Sequence, residues 1–298
     1  MSVPNPMGDQ LQQAARASEV FLYEGGLVPE ELKRSLTHVR IGPQVAEIPD
    51  GAFRDCKRLI DLQLHEGLEV IGKHALKGCT SLRNVSLPST VTRLRQEAFA
   101  HCSGLTKVQF NEGLQFIGDG AFYDCRALRS VTLPSTVISL GSYAFQTCIG
   151  LVELRLNEGL QVIGDYAFYC CRSLRRVTLP STVAGLDEYA FYGCINLDKI
   201  HLSDGLQVIG YYSFEGCTAL RSVTIASTVT ELGGGPFRGC SNLSEVIFLD
   251  GKRLLNQEFF VRGFKQDDQG LLDQKALDEM LFEEYGTTRG SLHFMIVH

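Results

Sequence analysis

The sequence predicts an α/β repeat fold that is mainly β, a solenoid of about ten 23-residue units stacked along one axis. Leucine recurs at positions 36, 59, 82, 105, 128, 151, 174, 197, 220 and 243, a constant step of 23 residues. Nine of the ten cysteines, Cys56 to Cys240, keep the same step, and so does an aromatic column beginning at Phe53. A fixed period without insertion or deletion means one supersecondary unit packed on copies of itself, and this overrides what length alone implies about domain number.

Within one unit, Leu82, Val85 and Leu87 alternate with polar residues and run into Pro88, the pattern of a short half-buried strand. Ten such strands at the ~4.8 Å interstrand spacing make a parallel ribbon about 48 Å long. Val91 and Leu94 return the chain to the core, and Ala98-Phe99 supplies a wedge behind a residue small enough to admit it. The wedge column reads Phe53, Leu76, Phe99, Phe122, Phe145, Phe168, Phe191, Phe214 and Phe237. A unit of this kind covers its apolar face only with its neighbours. The column of cysteines then reads as buried, reduced thiols serving as small hydrophobes, with Cys170 as the more exposed exception.

A 46-residue period lies over the first. Acidic-Gly-Leu corners (Glu66-Gly67-Leu68, Glu112-Gly113-Leu114, Glu158-Gly159-Leu160, Asp204-Gly205-Leu206) alternate with Pro-Ser-Thr corners at Pro88, Pro134 and Pro180 and with Ala226-Ser227-Thr228. Glycine is expected here to supply a positive φ, while proline presets φ and ends the strand.

The flanks differ from the repeat. Residues 1–17 are polar and expected to be disordered. Residues 18–32 read as an extended piece, Val20 to Tyr23, and a short helix from near Pro29, together an N-terminal cap on the 33–262 solenoid. Beyond it, 263–298 reads as a helical cap or tail: an amphipathic helix over Leu271 to Phe282 with Asp273, Asp278 and Glu279 outward, then an apolar Leu292 to His298.

The formal charge of −6 argues against nucleic acid as the main partner. No apolar run reaches the ~18 residues of a membrane span. Met1 to Val20 has neither a basic n-region nor an apolar h-region, so the expected location is intracellular, in the cytoplasm. No Ser/His/Asp or Cys/His arrangement, phosphate loop or H-E-x-x-H is found, and a column of cysteines does not converge as zinc ligands must. The expectation is therefore no enzyme, no cofactor and no metal.

The motif C-x-x-L-x-x-[VL]-x-L…[IL]-G-x-x-A-F-x-x-C, running from Cys102 to Cys125 with Phe110 at the last ribbon leucine, resembles the BspA-like class of leucine-rich repeats. The resemblance implies a leucine-rich-repeat solenoid with a concave parallel β-ribbon and short terminal caps. It also implies a binding module, since the family brings no catalytic residues.

On that ribbon the concave side chains would be the pairs between the leucines, among them Asp61, Lys107, Glu153, Arg155, Arg176 and Lys199. Arg83, Arg129, Arg175 and Arg221, each one position after the repeat leucine, recur every 46 residues, about 10 Å apart. These ten residues are the expected partner-binding surface, and the arginine row suits an acidic or phosphorylated protein segment; the alternative is solubility alone, polar residues copied along with each duplication. A tyrosine column at Tyr143, Tyr166, Tyr189 and Tyr212, with Tyr123, Tyr169 and Tyr192 beside it, reads either as stacking within the fold or as interface. The expected function is a non-catalytic protein–protein interaction scaffold, monomeric or a subunit of a complex. The alternatives are an assembly subunit docking through its C-terminal segment, or an adhesion module if exported.

Overall fold

The computed structural model describes residues 20–248 and the backbone of the strand Arg253–Leu254. The expected C-terminal helix and the apolar tail lie outside the described residues. Each turn of the chain has three sides. The front side carries strands of three or four residues, beginning with His38–Ile41, Asp61–Gln63 and Asn84–Ser86 and ending with Glu245–Phe248. The back side carries two-residue strands from Glu47–Ile48 to Glu231–Leu232, joined in sequence order into one parallel nine-stranded sheet. The third side, here the turn side, is a succession of tight turns around Ala-Phe-x-x-Cys. It too has a ladder: the Phe99 and Phe122 N–H groups donate to the carbonyls of Ala121 and Ala144, both at 2.8 Å.

Nine turns have both strands, one short of the ten units expected. The tenth leucine, Leu243, opens a front strand with no back strand after it among the described residues. Between paired repeat strands the ladder register is 23 residues, as in Val85 against Val108 and Leu140 against Ile163. Every side chain therefore lies over its own homologue, which converts each repeated residue type into a stacked column.

The core is built from those columns. Successive phenylalanine rings from Phe99 to Phe237 stack nearly parallel, with centroids 5.1 to 5.5 Å apart. Leu76 interrupts the column below Phe99, and Phe53 packs instead against Tyr23 at 4.8 Å. A buried aromatic or aliphatic side chain of this kind contributes about 1.5–3 kcal/mol, so the column is a large part of the folding free energy.

The nine repeat cysteines are all buried, and Cys170 is only partly so. Their thiols have a directional role that a packing argument does not supply. Cys79 Sγ donates to the Phe53 carbonyl at 3.2 Å, and the same bond, 26 residues back, recurs from Cys102 through Cys240. Each thiol satisfies a carbonyl at the turn of the neighbouring unit, a role that Ala or Val at the same position lacks.

The 46-residue period is an interlock between unlike corners. The carboxylates of Glu66, Glu112 and Glu158 accept hydrogen bonds from the N–H and hydroxyl of Ser89, Ser135 and Ser181 in the next turn, at 2.7 to 3.2 Å. Asn111 Nδ2 in turn donates back to the carbonyls of Pro88 and Val91, at 2.6 and 3.1 Å. A corner that offers an acceptor thus needs a neighbour that offers donors, and duplication in pairs preserves the match.

The corner glycines correct the expected reason for their presence. Only Gly67 has the positive φ, +108°. At Gly113, Gly159 and Gly205 a Cβ would lie 2.3, 2.4 and 1.7 Å from the carbonyl oxygen of Ser89, Ser135 or Ser181. Those glycines are there because two backbones pass in close contact.

At the N-terminal end, strand Phe21–Tyr23 pairs in parallel with Val39–Ile41 and extends the front ribbon. A one-turn helix, Glu30–Lys33, follows Pro29 and buries Leu32. At the other end Glu245–Phe248 pairs in parallel with Ser222–Ile225 and antiparallel with Arg253–Leu254.

Candidate functional sites on two faces

On the front ribbon the middle residue of each strand points inward and its neighbours point out, as in Asn84–Ser86 and Lys107–Gln109. Lys107, Glu153, Arg155, Arg176 and Lys199 are accordingly exposed, and in-register stacking sets Glu153 beside Arg176 and Arg176 beside Lys199. The Arg176–Lys199 pair is a like-charge contact, which destabilises a ladder slightly, and Arg176 also approaches Asp198 at 3.7 Å. Asp61 differs from the others. It is half-buried and accepts a hydrogen bond from Gln63 Nε2 at 2.9 Å, while Gln63 Oε1 accepts one from Arg40 Nε. Its carboxylate is committed to the end of the ribbon.

Arg83, Arg129, Arg175 and Arg221 stand one residue before their strands, at the entry edge of the ribbon. All four are exposed, and their guanidinium groups form neither an ion pair nor a hydrogen bond among the described residues. Their carbonyls are engaged, since Thr106, Val152, Asp198 and Ser244 donate to them at 2.8 to 3.0 Å. Intervening Thr106, Val152 and Asp198 keep the arginines two strands apart. Arg83 also lines an open depression of about 470 Å³ with Ile60, Thr80, Ser81 and Gly104. Around this edge, Arg40, Lys107, Arg155, Arg176 and Lys199 add to the row, against Asp61, Glu153 and Asp198. An acidic chain thus presents a cationic front.

The turn side has a different chemistry, and its basis is backbone strain. In every turn, two residues four apart occupy the left-handed region. One column runs Gly51, His74, Glu97, Gly120, Tyr143, Tyr166, Tyr189, Tyr212 and Gly235, and the other runs from Asp55 to Gly239. Glycine adopts that conformation at little steric cost, whereas a tyrosine there is strained by roughly 1–3 kcal/mol. Four consecutive tyrosines carry this strain.

Their rings stack at 5.0, 4.7 and 5.2 Å from Tyr143 to Tyr212, and a second short stack, Tyr169 on Tyr192 at 4.7 Å, lies alongside. The column noted in the sequence is therefore two ladders in tilted contact, Tyr166 with Tyr169 at 5.6 Å and Tyr189 with Tyr192 at 5.8 Å. Burial, the neighbouring phenols of Tyr189 and Tyr143, and the Glu188 and Asp165 carboxylates together push the Tyr166 hydroxyl above its ordinary pKa.

Carboxylates border the ladder. Asp119, Asp165 and Glu188 each precede a residue of the left-handed column, and Asp187 lies next to Glu188. Burial and the Asp165 and Glu188 charges hold the Asp187 carboxyl above the ordinary carboxylate range. The Asp119 and Asp165 carboxylates accept hydrogen bonds from the N–H groups of Ser142 and Glu188, each at 3.0 Å. None of these four acids has an ion pair among the described residues. Among the same residues no group of His, Cys, Asp and Glu side chains converges as metal ligands do, and no helix is long and apolar enough to cross a membrane.

Comparison with known proteins agrees with this architecture. No curated protein sequence matches the chain significantly. Among solved structures, the Treponema pallidum leucine-rich repeat protein shares 26% identity over 73% of this chain and 86% of its own, with a TM-score of 0.50. A leucine-rich repeat protein from Bacteroides ovatus shares 25% identity over 72% of this chain and 73% of its own, with a TM-score of 0.41. The pneumococcal vaccine antigen PcpA shares 20% over 76% of this chain and 65% of its own, with a TM-score of 0.48. The family model for the BspA type leucine rich repeat region matches residues 31–152 and 139–263, in six copies. This protein belongs to the BspA-type leucine-rich repeat family.

Proposed function

We propose that this protein is a non-catalytic interaction scaffold whose front ribbon binds an acidic or phosphorylated segment of a protein partner. Leucine-rich repeats of this family generally mediate protein interaction or adhesion, and the solved relatives are repeat proteins. The single observation that carries the finer reading is the row of Arg83, Arg129, Arg175 and Arg221. Four exposed guanidinium groups, with no ion pair or hydrogen bond among the described residues, recur every 46 residues at the entry edge of the front strands. A guanidinium fork suits carboxylate and phosphate oxygens in bidentate fashion. Lys107, Arg155, Arg176 and Lys199 add charge behind the row, and the ribbon needs no conformational change to present it.

The test uses two fluorescent peptides, one of glutamates and one carrying phosphoserines at every second residue, titrated against the full chain at 150 and 500 mM salt. The Arg129→Glu/Arg175→Glu variant is expected to lose at least tenfold in affinity, and binding by the original chain should fall at high salt. Equal binding by the variant and the original chain overturns the proposal.

A further inference from the structure

The left-handed column on the turn side is broken at one point. Gly120 lies between Glu97 and Tyr143, and it contributes no side chain where the next four turns contribute stacked tyrosines. The other end of the ladder also meets a glycine, Gly235, but there Tyr212 leans over it, with ring atoms 2.9 and 3.2 Å from where a Cβ would be. Over Gly120 no tyrosine ring comes within 4 Å of that position, and the nearest side-chain atom is Cγ of Glu97 at 3.1 Å. What is left is a pocket of about 160 Å³ lined by Gln96, Glu97, Asp119, Tyr123, Tyr143 and Gln146 around Gly120. That is close to the roughly 150 Å³ cavity that accepts a benzene ring. The terminal ring of the ladder, Tyr143, is 43% exposed.

The charge around this gap is unbalanced. Glu97 is satisfied by Lys77 and lies 3.6 Å from His74, but Asp119 has no cationic partner among the described residues, nor do Asp165 and Glu188 further along the ladder. A flat group that stacks on a phenol ring and carries positive charge fits both features. Guanidinium does so better than ammonium, because it is planar, weakly hydrated and able to lie on an aromatic face. The glutamine amides of Gln96 and Gln146 offer further acceptors to its N–H groups.

We propose that the turn side binds a basic, extended protein segment, with one arginine side chain filling the gap at Gly120 against Tyr143 and Asp119. The other cations of the segment lie along the tyrosine ladder beside Asp165 and Glu188. The site is separate from the arginine row of the front ribbon and opposite to it in charge preference.

The test is fluorescence anisotropy with the full chain at 150 mM salt and three labelled octapeptides. Arginine alternates with serine in the first, lysine with serine in the second, and citrulline with serine in the third. The arginine peptide is expected to bind saturably, the lysine peptide at least fivefold more weakly, and the uncharged citrulline peptide not at all.

Gly120→Tyr is expected to fill the gap and cost at least fivefold in arginine-peptide affinity. Its backbone already has φ +58°, close to the +61° that Tyr143 adopts, so the variant should fold, as thermal melting by circular dichroism will check. Asp119→Asn keeps the hydrogen bond from Ser142 while removing the charge, and should weaken binding threefold or more even if Gly120→Tyr proves unstable. Arg129→Glu/Arg175→Glu should leave arginine-peptide binding no weaker. Absence of saturable binding, equal affinity for lysine and arginine peptides, or an unchanged affinity in both Gly120→Tyr and Asp119→Asn would overturn the proposal.

Discussion

Two sides of the same turns invite comparison. Residues 128–186 place Arg129 and Arg175 on the front edge and Tyr143, Asp165 and Tyr166 on the turn side, all on one 23-residue frame. On the front, an outward residue needs only extended backbone, which almost any side chain tolerates. On the turn side, the outward column sits at a positive φ, and any residue but glycine there is strained. The front can therefore change its side chains freely, whereas the turn side holds a bulky residue only when neighbouring rings compensate. The two sides have diverged in charge as well, cationic in front and acidic-aromatic behind the turns. A periodic core thus supports two surfaces with different rules of substitution.

The largest effect would remove both surfaces together by attacking the core they share. Burial pushes the Cys56, Cys102 and Cys240 thiols up to about 12 and raises Cys79, Cys125, Cys171 and Cys217 well above the ordinary value. A raised folded pKa means the stabilising protonated form is fully present below the unfolded pKa, about 8.5, and is lost as pH rises towards the folded one. At pH 10 each such cysteine favours the unfolded chain by roughly 2 kcal/mol. Several together exceed the usual stability of about 5–15 kcal/mol. The expected outcome is reversible alkaline unfolding near pH 10, followed by circular dichroism with reducing agent present. A melting temperature that stays flat from pH 7.5 to 10.5 contradicts the buried-thiol account.

The next effect separates two uses of glycine. At Gly159 a Cβ would meet the Ser135 carbonyl at 2.4 Å, so Gly159→Ala forces two backbones apart. Overpacking of this kind costs about 1–3 kcal/mol or more. At Gly120 the obstacle is a side-chain atom, Cγ of Glu97 at 3.1 Å, and a left-handed backbone, so Gly120→Ala should cost only about 1 kcal/mol. Urea midpoints for the pair should fall in that order. A reversed order would mean that the corner yields more readily than the turn.

How far the sequence discloses these features depends on whether chemistry follows the period. Leu82, Phe99 and Cys102 announce strand, wedge and turn because identical residues recur every 23 positions. The cysteine-to-carbonyl bond was not legible, since the acceptor lies 26 residues away on the backbone and has no residue type. The left-handed column was not legible either: Gly51, His74, Glu97, Gly120 and Tyr143 share a conformation but no composition. Gly113 was recognised as a corner but for the wrong cause, because close approach and positive φ both select glycine. The arginine row was visible as spacing, though its lack of partners needed coordinates. The tyrosines were visible as a column, while the gap at Gly120 and the neighbouring Asp119 came together only in three dimensions.

A smaller effect tests whether stacking offsets strain. Tyr166 stacks on Tyr143 and Tyr189, and each aromatic contact contributes about 0.5–1.5 kcal/mol beyond burial. Tyr166→Ala loses both contacts and keeps the strain, whereas Tyr166→Gly loses the contacts and relieves it. The glycine variant should therefore be the more stable of the two by about 1 kcal/mol, the reverse of their order in a helix or strand. If alanine equals or exceeds glycine, the backbone at this position is not strained as described.

The smallest expected effect is on the front edge, and its smallness is informative. Arg129 and Arg175 are exposed, make no ion pair or side-chain hydrogen bond among the described residues, and are not among the positive-φ positions, so glutamate meets no left-handed strain there. Arg129→Glu/Arg175→Glu should change unfolding free energy by no more than about 0.5 kcal/mol per site, the range of surface substitutions without specific contacts. An arginine stem can nonetheless cover apolar surface, and Val152 lies between the two positions. A loss beyond about 1 kcal/mol would mean the row stabilises the ribbon through its methylenes, and that its regular spacing reflects packing. An unchanged stability leaves the row with no structural task, so that any loss of anionic-peptide binding in the same variant is a loss of recognition.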